Sequence, residues 1–127
     1  MKNIGVLLFT RCAIKGNQGI VSLRMLIDTG SSYTIVPVEV LEAIGFKPDN
    51  SKDKVRIITA NGYLIAPRIK INWLHTLGIK MDDFNIVAHT LPQGIYAKGI
   101  LGMDFLTKAK AVIHTDNGII EVMQSKR

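Results

Sequence analysis

The sequence predicts an all-β fold with one or two short helices, and three observations predict it. Apolar and β-branched residues recur with a period of two through most of the chain. Turn-forming residues separate these runs at 15–19, 60–62 and 116–118. Only two short stretches carry helical spacing.

Residues 3–14 are rich in apolar and β-branched side chains, and Lys15-Gly16-Asn17-Gln18-Gly19 turns the chain into an alternating run at 20–27. This predicts a first hairpin. A short strand at 33–36 stops at Pro37, and residues 38–44 have helical spacing with Pro37 at the start and Gly45 just past the end. A polar loop at 49–54 precedes runs at 55–59 and 63–65. Asn61-Gly62 between two apolar runs is the strongest short hairpin signal. The second arm is expected to continue through residues 68–73. Residues 84–88 read as a strand and 99–102 as a short apolar segment, with Asp104 capping a helical turn over 105–108. Runs at 111–114 and 119–123 enclose Asp116-Asn117-Gly118 and predict a final hairpin.

A chain of 127 residues, 47% hydrophobic and 20% charged, reads as a single domain over residues 1–127. That length buries roughly two thirds of the unfolded surface, so the core needs no disulfide or structural metal. The lone Cys12 cannot form an internal disulfide or by itself build a zinc site, and it reads as a small buried apolar residue. The run Gly5-Val6-Leu7-Leu8-Phe9 is far short of the roughly 20 residues of a membrane span. It is also short for a signal-peptide core, so a cytoplasmic, membrane-free protein is expected. Sixteen Lys and Arg against ten Asp and Glu give a net charge of +6, but the cations are scattered. A solvated basic surface is favoured over a nucleic-acid site.

The segment Leu26-Ile27-Asp28-Thr29-Gly30-Ser31-Ser32 ends an apolar strand on a carboxylate at the mouth of a turn. Two readings fit these letters equally: a carboxylate held by backbone amides and hydroxyls, or a plain turn between strands. The flanks decide between them. Asp-Thr-Gly-Ser, a hairpin with Asn-Gly at its tip, and then Gly99-Ile100-Leu101-Gly102-Met103-Asp104-Phe105-Leu106 follow the order found in retropepsin-like (retroviral-type) aspartic proteases. The sequence resembles that family, in particular its single-domain bacterial members, from about residue 21 to residue 122.

The resemblance implies a retropepsin-like closed β-barrel with a flap hairpin, acting as a C2 homodimer on peptide or protein substrates without metal or cofactor. It makes Asp28 catalytic, with Thr29 interlocking two active-site loops and Gly30 bringing its amide to the carboxylate. Ser31 would stand beside the dyad, and Ile100, Leu101 and Gly102 would pack beneath the loop. Residues 57–65 would be the flap, with Ile58, Ala60, Asn61, Gly62 and Tyr63 facing substrate. The chemistry needs two carboxylates sharing a proton, and the chain holds one Asp-Thr-Gly. The second is therefore expected from another copy.

Ile27, Val36, Ile57, Ile58, Leu64 and Ile65 are expected to line side-chain pockets. Asp104 reads as a helix cap or a structural ion pair with a basic residue. Tyr63 fits a pocket-shaping role or a cross-strand pair equally. His75, His89 and His114 lack metal-ligand spacing, and Ser31-Ser32 lacks the nucleophile elbow of a serine hydrolase. The rival functional reading is a catalytically weak dimeric peptide- or partner-binding module on the same fold.

Overall fold

The computed structural model describes residues 7–91 and 97–123. Strand β1 (Leu8–Gly16) pairs antiparallel with β2 (Gly19–Ile27) along its whole length, from Leu8↔Ile27 to Gly16↔Gly19. Their alternation has a direct physical result. Cys12, Ile14, Leu23, Met25 and Ile27 point into the core, while Arg11, Ser22 and Arg24 face water. Residues 3–6 of the predicted first strand lie outside the described residues.

After β3 (Ile35–Val36), Pro37 serves as N-cap of helix α1 (Val38–Ala43). The helix ends as the sequence predicts, because Gly45 takes φ +102 and its amide donates to the Glu42 carbonyl. A 3-10 turn at Pro48–Asn50 leads into β4 (Lys54–Thr59) and β5 (Gly62–Lys70), the expected hairpin. Its turn differs from the expected one. Thr59 pairs with Gly62, and neither Ala60 nor Asn61 has positive φ, so Gly62 at φ +131 makes the reversal.

The second arm does not run on to residue 73. It breaks at Ile71 and Asn72, whose amides donate to Phe84 and Lys15 carbonyls, and a new hairpin follows. This is β6 (Trp73–Thr76) and β7 (Ile79–Asp82), joined by Leu77 and Gly78 at φ 54 and 78. Then come β8 (Asn85–Ala88), β9 (Gly99–Leu101), helix α2 (Met103–Lys108), and the small hairpin β10 (Val112–His114) with β11 (Ile119–Glu121).

The nine-stranded sheet runs β4-β5-β8-β3-β9-β2-β1-β6-β7 and curls into a half-barrel. Two of its pairings are parallel, β2 with β9 and β3 with β8. Helix α2 closes the core from below: Phe105 is fully buried, and its ring meets Phe84 edge-on at 6.2 Å. No described helix is long and apolar enough to cross a membrane.

Cys12 is fully buried, as its reading as a core residue requires. Burial pushes its thiol from 9.0 up to about 11, against a smaller opposing effect of a hydrogen bond with Thr76. A thiol whose folded pKa is raised favours the fold below its ordinary pKa, and that contribution is lost as pH rises through the folded value. Cys12 should therefore resist a thiol-reactive dye in the native protein at pH 8 and react fully once denaturant is added. Stoichiometric labelling of the native chain within seconds would contradict its burial.

Candidate active site

The parallel pair β2 and β9 fixes where the Asp28 loop begins. Ile27 lies opposite Leu101, and the Asp28 amide donates to the Leu101 carbonyl at 3.0 Å. The loop then closes on itself, since the Ser31 amide donates to the Asp28 carbonyl (3.1 Å) and the Gly30 amide to Asp28 Oδ1 (2.8 Å). That last bond sets the orientation of the carboxylate. Asp28 is half-buried, whereas Thr29 and Gly30 stand exposed at the loop tip. Ser31 Oγ donates to the Tyr33 carbonyl at 2.7 Å, so its hydroxyl stiffens the loop.

Beneath the loop, Gly102 lies against the backbone. A Cβ there would meet the Tyr33 carbonyl oxygen at 2.3 Å and the Ser31 carbonyl oxygen at 2.9 Å. The Met103 amide donates to that same Ser31 carbonyl at 2.8 Å. Thr34 and Asp104 complete the clamp. Asp104 Oδ2 accepts from the Thr34 amide (2.9 Å), and Oδ1 accepts from the Thr34 hydroxyl (2.6 Å) and the Phe105 amide (2.8 Å). Thr34, fully buried, accepts in turn from the Gly102 amide at 3.1 Å.

This corrects the reading of Asp104, which is not the N-cap of α2 and, among the described residues, forms no ion pair with a basic side chain. Gly102 holds the cap position, and the carboxylate ties the first turn of α2 to the strand after the Asp28 loop. Thr34 is the residue that sequence reasoning missed. A lone Thr before two buried apolar residues carries no local signal of a partner 70 positions away.

A cleft of about 430 Å³ opens over the loop, lined by Asp28, Gly30, Ser31, Ser32, Tyr33, Arg56, Ile57, Ile58 and Ile100. Asp28, Gly30, Ser31, Ile57, Ile58 and Ile100 thus come together at the cleft, with Ile100 in its lining rather than beneath the loop. Leu101 and Gly102 are buried below, while Ala60, Asn61, Gly62 and Tyr63 lie exposed on the β4–β5 hairpin, outside this lining. Thr29 borders a separate hollow of about 280 Å³ with Met103, Leu106, Thr107, Lys110, Ala111 and Ile113.

Four expected pocket residues lie outside the cleft lining. Ile27 and Val36 are buried in the main core: Ile27 lies on the inward face of β2, whose Ser22 and Arg24 face water, and Val36 lies on β3, where both residues are buried. Leu64 packs partly buried against the smaller cluster of Ile35, Ala66 and Val87, and Ile65 is exposed.

At the base of the hairpin, Arg68 grips Asp53 through two bonds of 2.8 and 3.2 Å. The guanidinium holds the Asp53 carboxyl below its usual range and is itself raised by it. His114 meets Glu121 at 3.2 Å across β10 and β11. Among the described residues, no group of three or more His, Cys, Asp or Glu is placed to hold a metal ion.

The family model described as Aspartyl protease matches residues 11–105, well over half of the chain. The chain belongs to the aspartyl protease family. The matched span takes in both the Asp28 loop and the Ile100-Leu101-Gly102 segment beneath it. Its fold is retropepsin-like. The crystal structure of a retropepsin-like aspartic protease from Rickettsia conorii superposes with a TM-score of 0.68 at 23% identity, covering 91% of this chain and 82% of that one. An uncharacterized Sinorhizobium protein from the cobV 5′ region is 33% identical over 85 residues. That match covers 67% of this aspartyl protease family chain and 36% of the relative, so the chain spans about a third of that protein's length.

Proposed function

We propose that the chain is an aspartic endopeptidase whose catalytic pair is Asp28 and the Asp28 of a second copy in a C2 homodimer. One observation carries this reading: a tethered, half-buried Asp28 opens into a cleft whose other lining residues include no carboxylate. Asp104, the nearest alternative in the loop's support, is fully engaged with Thr34 and Phe105. The family and the fold agree with it.

In the pair, one carboxylate takes a proton from the attacking water while the other donates to the scissile carbonyl oxygen. Gly30 fixes the angle of Asp28, exposed Thr29 is positioned to meet the second loop, and Ser31 with Ile100, Leu101 and Gly102 holds the loop rigid. Strand β4 lies at the sheet edge, which suits an extended peptide hydrogen-bonding as an added strand beneath the β4–β5 flap. Ile58, Ala60, Asn61, Gly62 and Tyr63 would then close over it. The test is cleavage of a peptide library by the purified protein, with Asp28→Asn as control. Binding without cleavage would assign the fold to peptide capture instead.

The second copy has a place to dock. Thr29 borders an apolar hollow, and Met103, Val112, Ile119 and Met123 expose large side chains on α2, β10, β11 and the residues after them. Residues 3–9 and 119–123 are the proposed interface strands, the first of them only partly described. Deleting residues 119–127 removes β11 and should give monomeric, inactive or insoluble protein. A truncated chain that sediments as a dimer and still cleaves peptide would overturn this interface.

A shared proton also predicts the pH profile. kcat/KM should fall on the acid side as the pair gains its second proton and on the alkaline side as it loses the shared one. EDTA should leave the profile unchanged. A rate that rises to an alkaline plateau and vanishes with EDTA would indicate metal-activated hydroxide.

A further inference from the structure

We propose that Arg56 forms a subsite for an acidic side chain of the bound peptide, so that the preferred substrates carry Glu or Asp near the scissile bond. This rests on the Asp28 cleft being the peptide site. Arg56 lines that cleft, where every other lining side chain is apolar, hydroxyl-bearing or, for Asp28, negative. An incoming carboxylate therefore meets one cation to bind and one anion to avoid, which sets the register of the peptide.

The cation is held without being used. Its guanidinium carbon sits 4.6 Å from the centre of the Tyr63 ring. Contact with an aromatic ring fixes the guanidinium by its face and leaves the in-plane N–H fork for a bidentate acceptor. Two other cations of the hairpin are engaged: Lys54 Nζ donates to the Ser51 carbonyl, and Arg68 is paired with Asp53. Among the described residues, no carboxylate lies within ion-pairing distance of Arg56. A C2 dimer presents one Arg56 on each side of the Asp28 pair, so acidic preference is expected on both sides of the cleaved bond.

The test uses peptides identical except for Glu, Gln or Lys stepped through the positions flanking the scissile bond. Cleavage is read as kcat/KM on the wild type, and binding as Kd on the Asp28→Asn protein with and without changes at Arg56. At one or more positions Glu should be favoured over Gln by about fivefold at low salt, declining as salt screens the pair. Arg56→Gln should erase the ratio, Arg56→Lys should keep part of it, and Arg56→Glu should turn the preference toward Lys. A Glu/Gln ratio of one at every position, or a ratio that survives in folded Arg56→Gln protein, overturns the proposal. If nothing is cleaved, the peptidase reading fails by itself, and the Kd ratios still decide the role of Arg56.

Discussion

Asp28→Asn is expected to abolish peptide cleavage, by about a thousandfold or more, while the fold and the dimer persist. In the proposed homodimer the effect is total, since one substitution removes both members of the pair. Stability is expected to survive because the amide is isosteric and its Oδ1 still accepts from the Gly30 amide, the bond of 2.8 Å that sets the carboxylate. With one proton shared, the wild-type pair would carry a single negative charge, so two neutral amides in its place should leave the proposed dimer nearly intact. Substantial turnover in a clean preparation of the variant would remove Asp28 from the chemistry.

The second large effect is on folding. Gly102→Ala would set a methyl group 2.3 Å from the Tyr33 carbonyl oxygen and 2.6 Å from its carbonyl carbon. Both neighbours are backbone, so no side-chain rotation relieves the clash. Relief requires pulling β9 and the start of α2 away from the Asp28 loop, which breaks the Met103 to Ser31 bond and strains the Thr34 and Asp104 clamp. The expected cost is about 3 kcal/mol or more, with a Tm lower by roughly 10 °C. Gly19→Ala is the control, because no atom lies within 4 Å of its Cβ position and only the strain at φ +138 remains. Equal Tm values for Gly102→Ala and wild type would mean that the loop is not packed as described.

Much of the fold was legible because local signals and tertiary structure agreed. The alternation of β1 and β2, the helix from Pro37 to Gly45 and the hairpin at 59–62 all follow from residues close in sequence. The β6–β7 hairpin was hidden because its turn uses Leu77 at φ 54, a residue type that rarely signals a left-handed turn. Asn72 was hidden differently: alternation continues straight through it, and only hydrogen bonds with Lys15 and Asp83 reveal the break.

The Asp28 loop was legible as a motif, but its support was not. The Thr34 to Asp104 bonds join residues far apart in sequence, and neither has a neighbour that marks it. Ile27 and Val36 read as pocket residues from alternation alone, which marks the apolar face of a strand but does not say whether that face meets the core or a cleft.

The claim that two chains each contribute one Asp28 is tested most directly by mixing wild-type and Asp28→Asn subunits to exchange equilibrium at constant total protein. If both carboxylates are needed, activity should follow the square of the wild-type fraction, about a quarter of the full rate in an equal mixture. A linear fall, leaving about half the rate, would show that one Asp28 per active unit suffices and would contradict the shared pair.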